Sequence, residues 1–450
     1  MVEICLAASN FLLRSGEEMK ISVFTPSNKP DWLVEAYLSL VGQTYTDWEW
    51  IIQPNGPSVA RVEYTKFEVP EDMRKDSRVK LLPYTRSDGI GCLKKMCCMH
   101  ATGDLFLELD HDDWLIPTAF QEIVDAAADS GVGFIYSDSV HYFEDMTNEV
   151  FSPEYGWQHY DFEWKGKKHK VMKSFAPDAR SLCEIYWSPN HVRVWTREAY
   201  EKVGGHSGQL RVGDDHDLIC RTYLAGYKFV HIDKPIYFYR RFKNSNQNSF
   251  VVENKLIQEQ QYRNKDLYLH ELIFEQCRRE DKVMIDLGGA HNCPKHKGFK
   301  SLDMHDADII CDVTKSIPVE DNSVGCFRAQ DFLEHIPIPE VPKLMNQLYQ
   351  KLAPGGWIIS GTPAVCDNEG RAGRGSYQDP THVSYWSSNN FWYYTDKNFA
   401  KYVPDIECRF QAVRLSNGYP SDWHKEHLIP YVWADLMALK GQRVPGRQLI

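Results

Sequence analysis

Twice along this chain a short β-branched run closes on a turn-forming residue and hands over to a stretch with helical spacing. The first series opens at Ile21-Ser22-Val23-Phe24-Thr25-Pro26, with helical periodicity from Asp31 to Val41. Trp48 to Gln53 reads as a second strand closed by Pro54-Asn55-Gly56-Pro57, Val79 to Pro83 as a third and Leu105 to Leu109 as a fourth. Strands alternating with helices predict an open, mostly parallel sheet. Ligands on such sheets gather beyond the carboxyl ends of the strands, where Thr25, Asn55 and Asp110 fall. After Arg240-Arg241 come a polar loop, Lys243 to Ser249, and a linking helix, Glu253 to Arg279. A second series starts at Val283-Met284-Ile285-Asp286-Leu287-Gly288-Gly289 and continues through Lys300 to Asp303, Asp308 to Cys311 and Trp357 to Ser360. The predicted fold class is α/β with two doubly wound units: a domain over 19–245, a helical linker over 246–280 and a second domain over 281–450.

The balance of 43% hydrophobic and 25% charged residues excludes disordered, collagenous and coiled-coil chains. With 51 Lys plus Arg against 62 Asp plus Glu, the net charge of -11 repels a phosphate backbone, so no nucleic-acid partner is expected. The 12 cysteines contain no C-x-x-C pair, which suits reduced thiols and a cytoplasmic location. His291, Cys293 and His296 lack the second ligand half of a structural zinc site. Glu3 precedes, and Arg14 follows, the first apolar stretch, the wrong charge order for a signal peptide, and the first 18 residues read as an extension. No apolar run approaches the roughly 20 residues that span a bilayer, leaving peripheral membrane contact at most.

The fourth strand runs into Asp110-His111-Asp112-Asp113. Carboxylates crowded at a strand end repel one another unless a divalent cation neutralises them, and such a clamp suits a nucleotide diphosphate. The other reading is an acidic loop capping the helix that starts near Pro117, with Asp113 as the cap. The neighbouring motifs, Thr25-Pro26-Ser27-Asn28, Asn55-Gly56, Gly89-Ile90-Gly91 followed by Lys94-Lys95, and Gly103-Asp104, together resemble the family 2 glycosyltransferases of GT-A fold. The resemblance implies that Thr25 and Asn55 hold the nucleoside of a UDP-sugar, that Lys94 faces the diphosphate, and that Asp110 and Asp112 bind Mn2+ or Mg2+. Asn55 stands where the family usually has Asp, and Lys94 where it usually has Arg. Gly213-Asp214-Asp215-His216-Asp217 looks like the acceptor segment, which makes Asp215 the general base of an inverting transfer to a glycan. Without the upstream motifs the same acids read as a helix N-terminal pair. Trp187 and Trp195 are sugar platforms or core.

In the second series, Asp286-Leu287-Gly288-Gly289, Asp303, Asp312, Asp331-Phe332-Leu333-Glu334-His335 and Leu352-Ala353-Pro354-Gly355-Gly356 together look like a class I S-adenosylmethionine-dependent methyltransferase. The resemblance implies that Asp286, Gly288 and Gly289 line the methionine part of the cofactor, that Asp303 holds its ribose and that Asp312 lies by the adenine. The usual Gly-x-Gly-x-Gly is incomplete: Ala290 and Asn292 stand at its second and third glycine positions. Asp379 and His382, three residues apart, form a candidate acid-oriented base for O-methylation, with His335 a second candidate; Asp-Pro-Thr-His is also ordinary turn chemistry. The resemblances imply a bifunctional enzyme that transfers a sugar and methylates a glycan. The alternatives are a transferase with a non-catalytic methyltransferase-like domain, or a glycan-binding module without turnover.

Overall fold

The computed structural model describes residues 19–56, 67–87, 89–185, 188–243, 254–441 and 443–448. The N-terminal extension, Pro57, Trp187, residues 244–249 of the polar loop and Glu253 lie outside these residues. The chain divides into two compact units. The first comprises residues up to 151, 159–176 and 189–262; the second comprises 152–158, 177–188 and 263–450. This departs from the linear division read from the sequence, because the boundary lies within the helix Asn254–Arg279 and two short upstream stretches belong to the second unit. Such excursions leave no mark on hydrophobic periodicity, which reports only local structure.

The first unit is built on strands β1 (Ile21–Ser27), β2 (Trp48–Gly56), β3 (Val79–Leu81), β4 (Thr85–Arg86), β5 (Leu105–Glu108), β6 (Trp114–Leu115), β7 (Val132–Phe143), β8 (His159–Trp164), β9 (Lys167–Met172), β10 (Arg193–Thr196) and β11 (Lys228–Arg241). The main path runs β3-β2-β1-β5-β10-β7-β11-β6. β1 is parallel to β2 and β5, and β7 to β11, whereas β10 inserts antiparallel between β5 and β7, so the sheet is mixed. β5 is buried at every position and β1 and β2 at all but one each, as strands covered on both faces must be. Leu33, Ala36 and Leu40 of the helix Leu33–Val41 fill one side of this core at i, i+3 and i+7 spacing.

The second unit carries β12 (Val283–Leu287), β13 (Phe299–Asp303), β14 (Ile309–Ile310), β15 (Val324–Gln330), β16 (Leu352–Pro363), β17 (Phe410–Gly418) and β18 (Tyr431–Ala438) in the order β14-β13-β12-β15-β16-β18-β17. β12 to β16 are parallel, and β18 is antiparallel to both its neighbours. The order reverses between β12 and β15, the switch point at which such sheets bind ligands. Helical winding is incomplete. The crossover from β12 to β13 holds only the 3-10 turn Lys295–Lys297, and the covering comes from upstream, where Phe274 meets Phe299 edge-on and Cys277 closes over Gly325. Asn292 and Pro294 in so short a crossover leave no room for a helix.

Candidate active site

Two strand neighbours organise the first site. Glu108 and Asp110 lie two residues apart at the end of β5, and the antiparallel register pairs Arg193 of β10 with Glu108. Two further residues along that register His191 faces Asp110, with Nε2 3.5 Å from Oδ2. Glu108, Asp110 and His191 bring one potential ligand atom each to within 4.8 Å of one another. Oε2 of Glu108 and Nδ1 of His191 are buried without a hydrogen-bond partner. Burial, reinforced by Arg193, lowers the His191 imidazole to about 3, so it is neutral. Burial raises Asp110; Glu108 and Asp112 push the same way, while His191 and Lys94 oppose.

The cations are placed against the other acids. Lys94, 5% exposed on the helix Ile90–Met99, sits 2.7 Å from Oε1 of Glu108 and 3.4 Å from Oδ2 of Asp214. The diphosphate role implied for Lys94 needs a reachable ammonium; here that ammonium is an interior counter-charge. Arg193 reaches Oδ2 of Asp215 at 2.5 Å and lies 3.7 Å from Glu108. Against the penalty of burial, Arg193 and then Lys94 hold Asp215 well below the usual carboxylate range. Asp214 and Asp215 open the helix Asp214–Leu224 after left-handed Gly213 (φ 70°), where the dipole favours negative charge. Asp214 is buried against Lys94 and His206, so Asp215 is the half-buried acid of the pair. Among the described residues Asp110 and Asp112 have no lysine or arginine paired with their side chains; their imidazole neighbours are His191 at 3.5 Å and His111 at 4.0 Å. That excess of negative charge fits a divalent ion.

The remaining predicted residues separate into structural and open positions. Asp113 is neither ligand nor helix cap: its oxygens accept from Tyr237 Oη at 2.8 Å and the Arg240 amide at 2.7 Å, and Thr118 occupies the N-cap of Ala119–Ala127. Thr25 donates to the Leu109 carbonyl and accepts from Trp50 Nε1, bracing β1 against its neighbours. Asn55 keeps a buried Oδ1 with no hydrogen-bond partner at the end of β2. Trp195 is fully buried core. Sequence reasoning missed Glu108, His191 and Arg193. The period-two spacing Glu108-x-Asp110 and His191-x-Arg193 was their only local signal.

In the second unit, Asp286 is buried at the end of β12 and bonded to Arg328 at 2.7 Å; burial raises it while Arg328 opposes. Gly288 takes φ 72°, and a Cβ there would stand 2.7 Å from the Phe332 ring; one on Gly289 would stand 2.5 Å from Asp286 Oδ2. The space the glycines leave is filled by these side chains, so in this conformation the loop does not fit a cofactor's methionine part as the resemblance implies. Asp303 accepts from the Met304 and Ala290 amides at 2.7 and 3.3 Å, and Asp312 turns back onto Thr314. Asp379 Oδ1 is taken by the Thr381 amide and hydroxyl, and Oδ2 is 4.0 Å from His382 Nε2. The Ser376 carbonyl, not Asp379, orients His382, by bonding Nδ1 at 3.2 Å.

Among the described residues no helix is long and apolar enough to cross a membrane. Residues 22–186 match the model of Glycosyl transferase family 2. Glycosyltransferase GlyG of Streptococcus pneumoniae is 27% identical over 50% of this chain and 72% of its own length. Glycosyltransferase GlyA of the same organism is 24% identical over 50% of this chain, which spans only 31% of that protein. WfgD of Escherichia coli, named a UDP-Glc:alpha-D-GlcNAc-diphosphoundecaprenol beta-1,3-glucosyltransferase, is 26% identical over 27% of this chain and 46% of its own. Residues 22–186 thus form a family 2 glycosyltransferase domain on a mixed α/β sheet.

Proposed function

We propose that the first unit transfers a sugar from a nucleotide-diphosphate donor, of the UDP type, to a hydroxyl of a glycan acceptor with inversion at the anomeric carbon. The observation that carries this is the Asp215 carboxylate, kept ionised by Arg193 beside the group Glu108, Asp110 and His191. The acceptor oxygen bonds to the anomeric carbon, the bond to the diphosphate oxygen breaks, and the acceptor proton passes to Asp215. Asp110 with Asp112, or with Glu108 and His191, would hold Mn2+ or Mg2+, which when bound would supply charge neutralisation for a diphosphate. Asn55 offers its bare carbonyl oxygen to an N–H of the base, which uracil has. The donor named for WfgD is of this class.

For the second unit we infer a class I methyltransferase type, from its switch point and from Asp286 and Asp303 at the adjoining strand ends, although the glycine turn between them is filled in this conformation. S-Adenosylmethionine would enter only if Phe332 leaves the glycine turn and Asp286 yields Arg328. Isothermal titration of the protein with UDP plus Mn2+, and separately with S-adenosylhomocysteine, tests both readings. UDP binding that is lost in Asp112→Ala but kept in Asp286→Ala supports the first, and no binding of UDP sinks it. Binding of S-adenosylhomocysteine that Asp286→Ala removes identifies a working methyl donor site. Its absence leaves a methyltransferase-like unit without turnover.

A further inference from the structure

A second group of ligating side chains stands at the carboxyl edge of β15 and β16. Glu334, His335 and His382 bring one potential ligand atom each to within 4.8 Å of one another. Glu334 is 1% exposed: Oε2 accepts from the Thr362 hydroxyl, while Oε1 is buried with no hydrogen-bond partner. An unpartnered buried carboxylate oxygen is costly unless something is meant to meet it.

The imidazoles are set in one tautomer by their surroundings. Nδ1 of His382 lies 3.2 Å from the Ser376 carbonyl, and Nδ1 of His335 lies 3.2 Å from the Thr381 carbonyl. A carbonyl oxygen only accepts, so both rings carry their proton on Nδ1. The Thr381 hydroxyl, 3.3 Å from the same His335 nitrogen, gives its own proton to Asp379, which agrees with that assignment. Each ring in its neutral form therefore presents an unprotonated Nε2. Rings fixed by carbonyls at one nitrogen and open at the other are how proteins orient metal-binding histidines. The other charged groups facing the cluster are Asp331, which acts on Glu334, and Asp379, 4.0 Å from His382 Nε2.

We infer that Glu334, His335 and His382 form a binding site for a divalent first-row transition ion such as Zn2+. Two neutral imidazoles and one carboxylate are a borderline-soft ligand set that suits zinc or iron and leaves open positions, whereas Mg2+ and Ca2+ take oxygen ligands. Three ligands at about 2.1 Å in a tetrahedral site stand about 3.4 Å apart, so closing onto an ion needs only side-chain movement. Exposed His335 leaves the ion reachable by a substrate hydroxyl, whose acidity an ion of this kind raises. The site stands whether or not S-adenosylmethionine binds, because none of its residues belongs to the loop after β12.

Cobalt titration of the full chain, with millimolar Mg2+ present to occupy oxygen-rich sites, tests this through visible absorption bands of histidine-bound Co2+ and through zinc competition monitored at those bands. The expected result is saturation at a single equivalent, displacement by Zn2+, and affinity at least about tenfold weaker in both His335→Ala and His382→Ala. Glu334→Gln, nearly the same shape, weakens binding with the fold retained by circular dichroism. Binding that is unchanged in either histidine variant, that disappears instead in His191→Ala, or that is absent from the wild-type protein overturns the inference.

Discussion

Arg193 answers two acids, and through them it couples the sheet to the chemistry: its guanidinium touches Asp215 and lies near Glu108. Asp215→Asn keeps this shape but cannot take a proton, so transfer should fall by about 10² to 10⁴ with UDP affinity nearly unchanged, read by initial rates and titration. Glu49 makes a separate prediction. Burial would raise its carboxyl, but hydrogen bonds from Lys80, Ser22 and Thr102 outweigh that and lower it to about 2 from an ordinary 4.5. A depressed acid contributes stability that is fully present above its unfolded value and lost as pH falls through the folded one. The contribution, about 3 kcal/mol from a shift of that size, should therefore fade between pH 4.5 and about 2. Urea unfolding of Glu49→Gln should show lower stability at pH 7 and a flatter slope across that window.

At the level of elements, the helix Ile90–Met99 must come close to the start of Asp214–Leu224. A Cβ on Gly91 would stand 2.3 Å from the Ser207 carbonyl oxygen and 2.9 Å from Asp214 Cβ. Gly91→Ala should thus force the two elements apart, costing about 1–3 kcal/mol in thermal or denaturant unfolding. It should also lower transfer activity by displacing Lys94 and Asp214 together. The strands β1, β2, β5 and β12 were legible because their β-branched and apolar runs are buried nearly throughout and end on turn residues. β10 was not: four residues long, it takes its place by pairing with β5 and β7, and pairing between distant segments leaves no local pattern. For the same reason Asp110 and Asp215 could be picked from motifs, while His191 and Arg193, which complete their surroundings, could not. Lys94 was legible as a functional cation but not as a buried one, since its counter-charges lie 14 and 120 residues along the chain, at Glu108 and Asp214.

Across the whole molecule, two compact units should unfold as separable transitions with distinct ligand responses. UDP with Mn2+ should raise the midpoint of a single calorimetric transition and leave the other in place, and Zn2+ should act on the opposite one. A single midpoint that moves with both ligands would contradict this. The second unit also depends on residues far upstream. Arg180 bonds Glu280 at 2.6 Å and closes over Gly355, and Arg443 bonds the backbone of Glu154. A fragment starting at residue 281 should therefore be less stable than the same unit in the full chain, by several degrees in melting temperature.

The chain passes between its units at 151/152, 158/159, 176/177, 188/189 and 262/263. Inheritance works on linear text, and a gene for a free-standing second unit cannot be obtained from this one by a single recombination. No single cut of the chain therefore yields either unit whole and free of residues that belong to the other.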